Sequence, residues 1–212
     1  HFDTNLSFFF LHFFFCFLKK MKDLVYGIGF NDRKYPSEVN GKGTKEYILW
    51  HNLLSRCYNP KTHERRPTYV GCSVSENFKS YSYFYEWCLT QVGFGQESFH
   101  LDKDLIFKGN KLYSEDTCLF LPRDLNVLLT TRKNLRGSLP VGVSAHRGRF
   151  LATCNTNKLS RHIGLFNTVE EAFAAYKRVK EAFIKAQAEK WKALIDPKAY
   201  EALLTYTVSI TD

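Results

Sequence analysis

Leu101 to Pro122 reads LDKDLIFKGNKLYSEDTCLFLP. Leu101, Lys103 and Leu105 alternate with Asp102, Asp104 and Ile106, and this period of two predicts a strand. Lys108-Gly109-Asn110 supplies residues that tolerate positive φ and predicts a turn. Cys118 to Leu121 is a second short apolar run, read as the returning strand. Pro122 suits the first turn of a helix, and Leu125, Leu128 and Leu129 give Arg123 to Leu129 an apolar side. The order strand, strand, helix therefore decides the N-terminal half, with carboxylates on the first strand and an amide on the helix.

Upstream, Lys45 to Cys57 (KEYILWHNLLSRC) places Ile48, Leu49 and Leu53 at helical spacing. Phe78 to Thr90 carries Phe78, Tyr81, Tyr85 and Cys88 at steps of three and four. This aromatic stripe is expected to be core rather than a base-stacking surface. Tyr26 to Gly43 and Asn59 to Gly71, rich in Gly, Asn, Asp and Pro, read as loops. The Phe-rich run at residues 1–20 is too short for a membrane span and has no basic leader before it. Met21 opens MKDLVYGIGFND like a natural start, so residues 1–20 are read as a non-native leader.

Downstream, Thr130 to Leu139 (TTRKNLRGSL) is polar and basic and reads as a linker. Val141 to His146, Arg149 to Asn155 and Arg161 to Phe166 read as three short strands joined by tight turns. Thr168, with Glu171 three residues on, predicts a capping box opening a long helix. Its expected apolar face is Val169, Phe173, Tyr176, Val179 and Phe183, with Ala172 and Ala175 permitting close approach. One helix covers one face of a three-stranded sheet and leaves the other open. Phe150, Ala152 and Cys154 should point to the helix, and Leu151, Thr153 and Asn155 away from it.

A chain of 212 residues can build one sizeable core or two small ones. Lys and Arg outnumber Asp and Glu 30 to 21, for a formal charge of +9, which favours a polyanionic partner. Eight Lys or Arg and one acid, Asp124, lie between Arg123 and Ile163, so most of that charge sits in the linker and the small sheet. The six cysteines form no CxxC pair and read as free thiols of a reducing compartment. A zinc site from Cys57, Cys72 and Cys118 has no support from spacing.

The C-terminal segment resembles the apetala-two (ethylene-response-factor) DNA-binding domain. The matching residues are Gly142-Val143, Gly148 to Ala152, Ile163 to Thr168 and Glu170 to Tyr176. That resemblance implies a three-stranded sheet inserted in the major groove of double-stranded DNA, with the helix behind it. The DNA-facing positions would be Ser144, His146, Arg147, Thr153, Asn155, Ser160 and His162; Arg149, Lys158 and Arg161, cations of the same basic segment, complete the expected DNA-binding set. Ser, Thr, Asn and His stand at several places where the family often has Arg or Trp, so sequence preference does not transfer.

Thr44 to Asn126 is similar to a phage-type HNH endonuclease, a module commonly fused to an apetala-two-type domain in this order. The resemblance implies a ββα site holding one divalent metal, with a His on the first strand as general base. Here the family's Asp–His pair falls on Asp102-Lys103, and lysine is a poor base unless strongly desolvated. His100 is the candidate replacement base. Asp102, Asp104 and Asn126, with Asn110 nearby, could hold Mg²⁺ or another divalent metal; Asp104 and Asn110 could equally fix the turn.

The expected fold class is α+β: an N-terminal ββα HNH-like module with flanking helices, then a three-stranded antiparallel sheet packed on one helix. The expected domains are 21–129, a basic linker 130–139, 140–192, and an extension 193–212. The expected function is that of a DNA-binding protein of the phage HNH homing-endonuclease type with a degenerate nuclease site, in the cytoplasm of a bacterial host, with no membrane partner. An active metal-dependent endonuclease is the alternative, and a protein-interaction module a third reading.

Overall fold

A computed structural model describes residues 24–130, 137–156 and 159–212. In chain order its strands are β1 (Glu38–Val39), β2 (Lys42–Gly43), β3 (Ser73–Val74), β4 (Phe99–Asp102), β5 (Leu112–Tyr113), β6 (Leu119–Pro122), β7 (Val143–His146), β8 (Arg149–Thr156) and β9 (Leu159–Phe166). The α-helices are α1 (Lys45–Tyr58), α2 (Pro60–Arg65), α3 (Tyr81–Thr90), α4 (Arg123–Leu129), α5 (Val169–Trp191) and α6 (Pro197–Leu204). The fold class is α+β, as expected. Among the described residues no helix is long and apolar enough to cross a membrane.

The chain forms two compact units, one of residues 24–95 with 107–118, the other of 96–106 with 119–212. In the first, Thr44 caps α1 and Ser80 caps α3 through side-chain oxygens. Trp50, Leu53 and Leu54 of α1 and Tyr81, Phe84, Trp87 and Cys88 of α3 are buried, with Phe78 from the turn before α3. Trp50 donates its indole N–H to the Phe78 carbonyl at 2.8 Å, which satisfies the one polar atom of a buried ring. The Phe78 and Phe84 rings meet edge-on at 5.0 Å. The aromatic stripe is core, as expected, but Tyr85 is only half-buried and stacks on Tyr35.

In the second unit β4 and β6 pair antiparallel, with His100 opposite Leu121 and Asp102 opposite Leu119. Leu119 and Leu121 of β6 and Leu125 of α4 pack with Ile184 and Ala188 of α5 and with Ile195, Ala199 and Leu203 around α6. β7, β8 and β9 form the three-stranded antiparallel sheet, with β8 central. Ala152 and Cys154 of β8 pack with Ala172, Phe173 and Tyr176 of α5.

These units cut the chain differently from the expected domains. The strand pair and α4 group with the C-terminal elements, and 193–212 supplies core residues to them. Two four-residue strands and a seven-residue helix have too little apolar surface to bury alone, and α5 and α6 complete that core. The first strand is also shorter than its alternation suggests. It ends at Asp102, whose Oδ2 accepts the N–H groups of Asp104 and Leu105 at 2.8 Å each and bends the chain away. Five cysteines, Cys57, Cys72, Cys88, Cys118 and Cys154, are buried thiols that form no disulfide; Cys16 and the proposed leader lie outside the described residues, as does most of the expected linker.

Candidate nucleic-acid interface

Two left-handed residues shape the sheet. Arg147 (φ 48°) and Gly148 (φ 77°) form the two-residue turn between β7 and β8, the geometry that matches strand twist. β9 carries a bulge where its register with β8 shifts, between Ala152 and Thr153. Ala152 faces Gly164 and Thr153 faces His162, so Ile163 is the extra residue. Ile163 packs with the helix-side cluster, and the bulge thereby returns Leu165 and His162 to the same outer face.

Behind the sheet, the capping box is present: Thr168 Oγ1 accepts from Glu171 N and Glu171 Oε2 accepts from Thr168 N, each at 3.2 Å. Gly142, at φ 77°, lies against the buried ring of Tyr176, where any Cβ would overlap the ring. These contacts seat α5 on the inner face through Phe150, Ala152 and Cys154, as the alternation predicts.

The outer face carries four rows. His146 lies opposite Arg149; Ser144, Leu151 and Leu165 cross all three strands; Thr153 faces His162; Asn155 faces Ser160. Leu151 and Leu165 belong to neither apolar cluster of this unit. Ser144, His146, Arg147, Arg149, Asn155, Ser160 and His162 are exposed, and Thr153 is half-buried. Arg149 donates from Nη2 to the Leu165 carbonyl at 3.1 Å, which steadies its stem while the guanidinium keeps further donors. No Asp or Glu occurs between Leu125 and Val169.

Arg161 is the exception among the expected DNA-facing residues. It lies opposite Cys154, so its side chain starts from the helix side of the sheet. Burial pushes the Cys154 thiol up, while the charges of Lys180 and Arg161 act against that rise. Lys180, half-buried on α5, is pushed down by burial. Lys158 lies outside the described residues.

The expected nuclease residues are placed as follows. His100 is exposed on β4, Asp102 half-buried at the strand's end, and Asn126 half-buried on α4. Lys103 is only 8 % exposed and its Nζ sits 2.6 Å from Asp104 Oδ1. Burial pushes the Asp102 carboxyl up, against the lowering effect of the two backbone N–H groups it accepts. Burial and the carboxylates of Asp212, Asp102 and Asp104 push the Tyr206 phenol up to about 12.

One Asp102 oxygen is committed to the backbone, and an ammonium takes up Asp104. Among the described residues no three His, Cys, Asp or Glu side chains group to hold a metal ion. The backbone bonds of Asp102 and the Lys103 contact of Asp104 compete with a divalent cation for these carboxylate oxygens.

Sequence reasoning missed Leu165 as an outer-face residue, because strict alternation fails at the bulge. The signal was Leu151 alone, an apolar residue at an outward position. No family model, no curated protein and no solved structure matches the chain.

Proposed function

We propose that the open face of the β7–β8–β9 sheet binds double-stranded DNA, and that the strand pair with α4 is a structural partner without nuclease chemistry. The observation that carries this reading is an exposed sheet face in a segment that holds arginines and no acid. Arg147 and Arg149 stand at one end of that face, where they can hold phosphates while the short polar side chains of the other rows meet base edges. The second half of the proposal rests on Asp102 being a turn cap and Asp104 the partner of Lys103. The protein is expected in the cytoplasm, where duplex DNA is accessible and the buried thiols stay reduced.

The test is fluorescence anisotropy of a random-sequence duplex across a salt series. Affinity should fall steeply with salt. Arg147→Asn with Arg149→Gln, which keeps a residue tolerant of the left-handed turn, should reduce the slope of log K against log salt by about 2. A flat salt response would overturn the reading. Supercoiled plasmid incubated with Mg²⁺ or Mn²⁺ should stay intact; nicking that disappears in Asp102→Ala would overturn the second half.

A further inference from the structure

Leu151 and Leu165 face each other across β8 and β9 on the outer face. Leu165 is 38 % exposed, and neither residue joins the clusters that bury the inner face. With Ser144 they make one row across three strands. Strand spacing sets that row at about 10 Å, within the roughly 12 Å width of the major groove. The next row toward the turn is His146 with Arg149, and the rows on the other side are Thr153–His162 and Asn155–Ser160.

The rows therefore differ in chemistry along β8: cationic, apolar, then two that donate and accept hydrogen bonds. Arginines at the turn match a phosphate backbone, and the absence of acids leaves nothing to repel it. An apolar row in that setting cannot pair with a hydrogen-bonding base edge. Placed over guanine or cytosine it would cover donors and acceptors without replacing their water partners. One group in the major groove is itself apolar, the C5-methyl of thymine.

We infer that the Leu151–Leu165 row is a specificity element that contacts thymine methyl groups in the major groove. This rests on the reading of the open face as a DNA-binding surface. Burying one methyl favours the thymine duplex about fourfold. Ser144, at the end of the row, keeps a hydroxyl for a neighbouring base edge.

The experiment compares full-length protein on alternating poly d(A-T) and poly d(A-U), duplexes that differ only in that methyl. Wild type should bind the thymine polymer about fourfold more tightly per methyl buried. Leu165→Ser, which removes the methyl groups from an exposed strand position, should bind both polymers alike and retain affinity for the uracil polymer. Equal, salt-dependent binding of both polymers by wild type would overturn the inference and leave DNA binding intact. A preference that survives in Leu165→Ser and in Leu151→Ser would also overturn it. Binding to neither polymer would overturn the reading of the face itself.

Discussion

Replacing Gly142 with Ala tests how the sheet is seated on its helix. Gly142 has φ 77°, a conformation that costs an L-residue about 1–2 kcal/mol. A Cβ there would overlap the ring of Tyr176, which is buried and packed among Ala152, Cys154 and Phe173. Forcing extra atoms into such a site costs about 1–3 kcal/mol. The Gly142 carbonyl also accepts from Thr153 N at 2.8 Å, so the segment cannot swing away without losing a link to the central strand. The sum is about 2–5 kcal/mol, a large part of the total stability of a small domain. Urea unfolding followed by circular dichroism reads it directly. In a double-mutant cycle with Tyr176→Ala the overlap vanishes and only the dihedral cost stays, so the coupling should reach about 1 kcal/mol or more. A Gly142→Ala protein within about 0.5 kcal/mol of wild type would refute the packing argument.

Phe173→Ala should destabilise the same unit by about 3 kcal/mol or more, since the ring is buried in the helix–sheet cluster; an unmoved thermal midpoint would mean the face is misassigned. Lys180 has a folded pKa below its unfolded value, so the unfolded chain binds more protons and stability should rise as pH climbs toward 10.5. Lys180→Met should raise the midpoint at neutral pH and flatten that alkaline rise; parallel pH profiles for the two proteins would contradict it. Asp102 is the opposite case: its raised folded value means the native state binds more protons, so its cost is full above that raised value and is lost as pH falls to 3.8 and below. Asp102→Asn keeps the acceptor and should raise the midpoint at pH 7, with the gain fading on acidification. Asp102→Ala removes the cap and should lose about 1 kcal/mol, and an Asn variant less stable than wild type at pH 7 would show that the carboxylate's charge matters to the fold.

The C-terminal sheet and helix were legible because period-two and helical patterns there agree with short-range capping chemistry at Thr168 and Glu171. The bulge at Ile163 was not, since one inserted residue reverses the face of every residue after it. The first unit shows the same division. Helices α1 and α3 were read correctly, while β1 and β2 were read as loop even though Asn40-Gly41, both at positive φ, is a strong hairpin signal. Helix α2 was missed because it has six residues and no apolar stripe. Its start was nonetheless written in Asn59, whose side chain accepts from Lys61 N at 3.0 Å, and in Pro60 at the first helical position. At the candidate nuclease site, the residue types were visible but their commitments were not. No pattern in LDKDL says that Asp102 caps a bend or that Lys103 turns back onto Asp104.

The expected linker at 130–139 suggested two independent domains, and helix α5 argues otherwise. Its 23 residues make a rod of about 34 Å. Phe173 and Tyr176, near its start, pack on the sheet; Ile184 and Ala188, further along, pack on β6, α4 and α6. These four residues and Lys180 recur at steps of three and four, so they form one continuous stripe. Lys180 is the polar break in that stripe, with the sheet's cluster before it and the strand pair's cluster after it. Its desolvation is the cost of keeping an unbroken helix between two apolar patches. Leu119, Leu121 and Leu125 pack on the far end of the helix whose near end supports the open sheet face. On the proposed reading the strand pair serves the sheet as a brace, held by the Asp102 turn cap and the contact of Lys103 with Asp104.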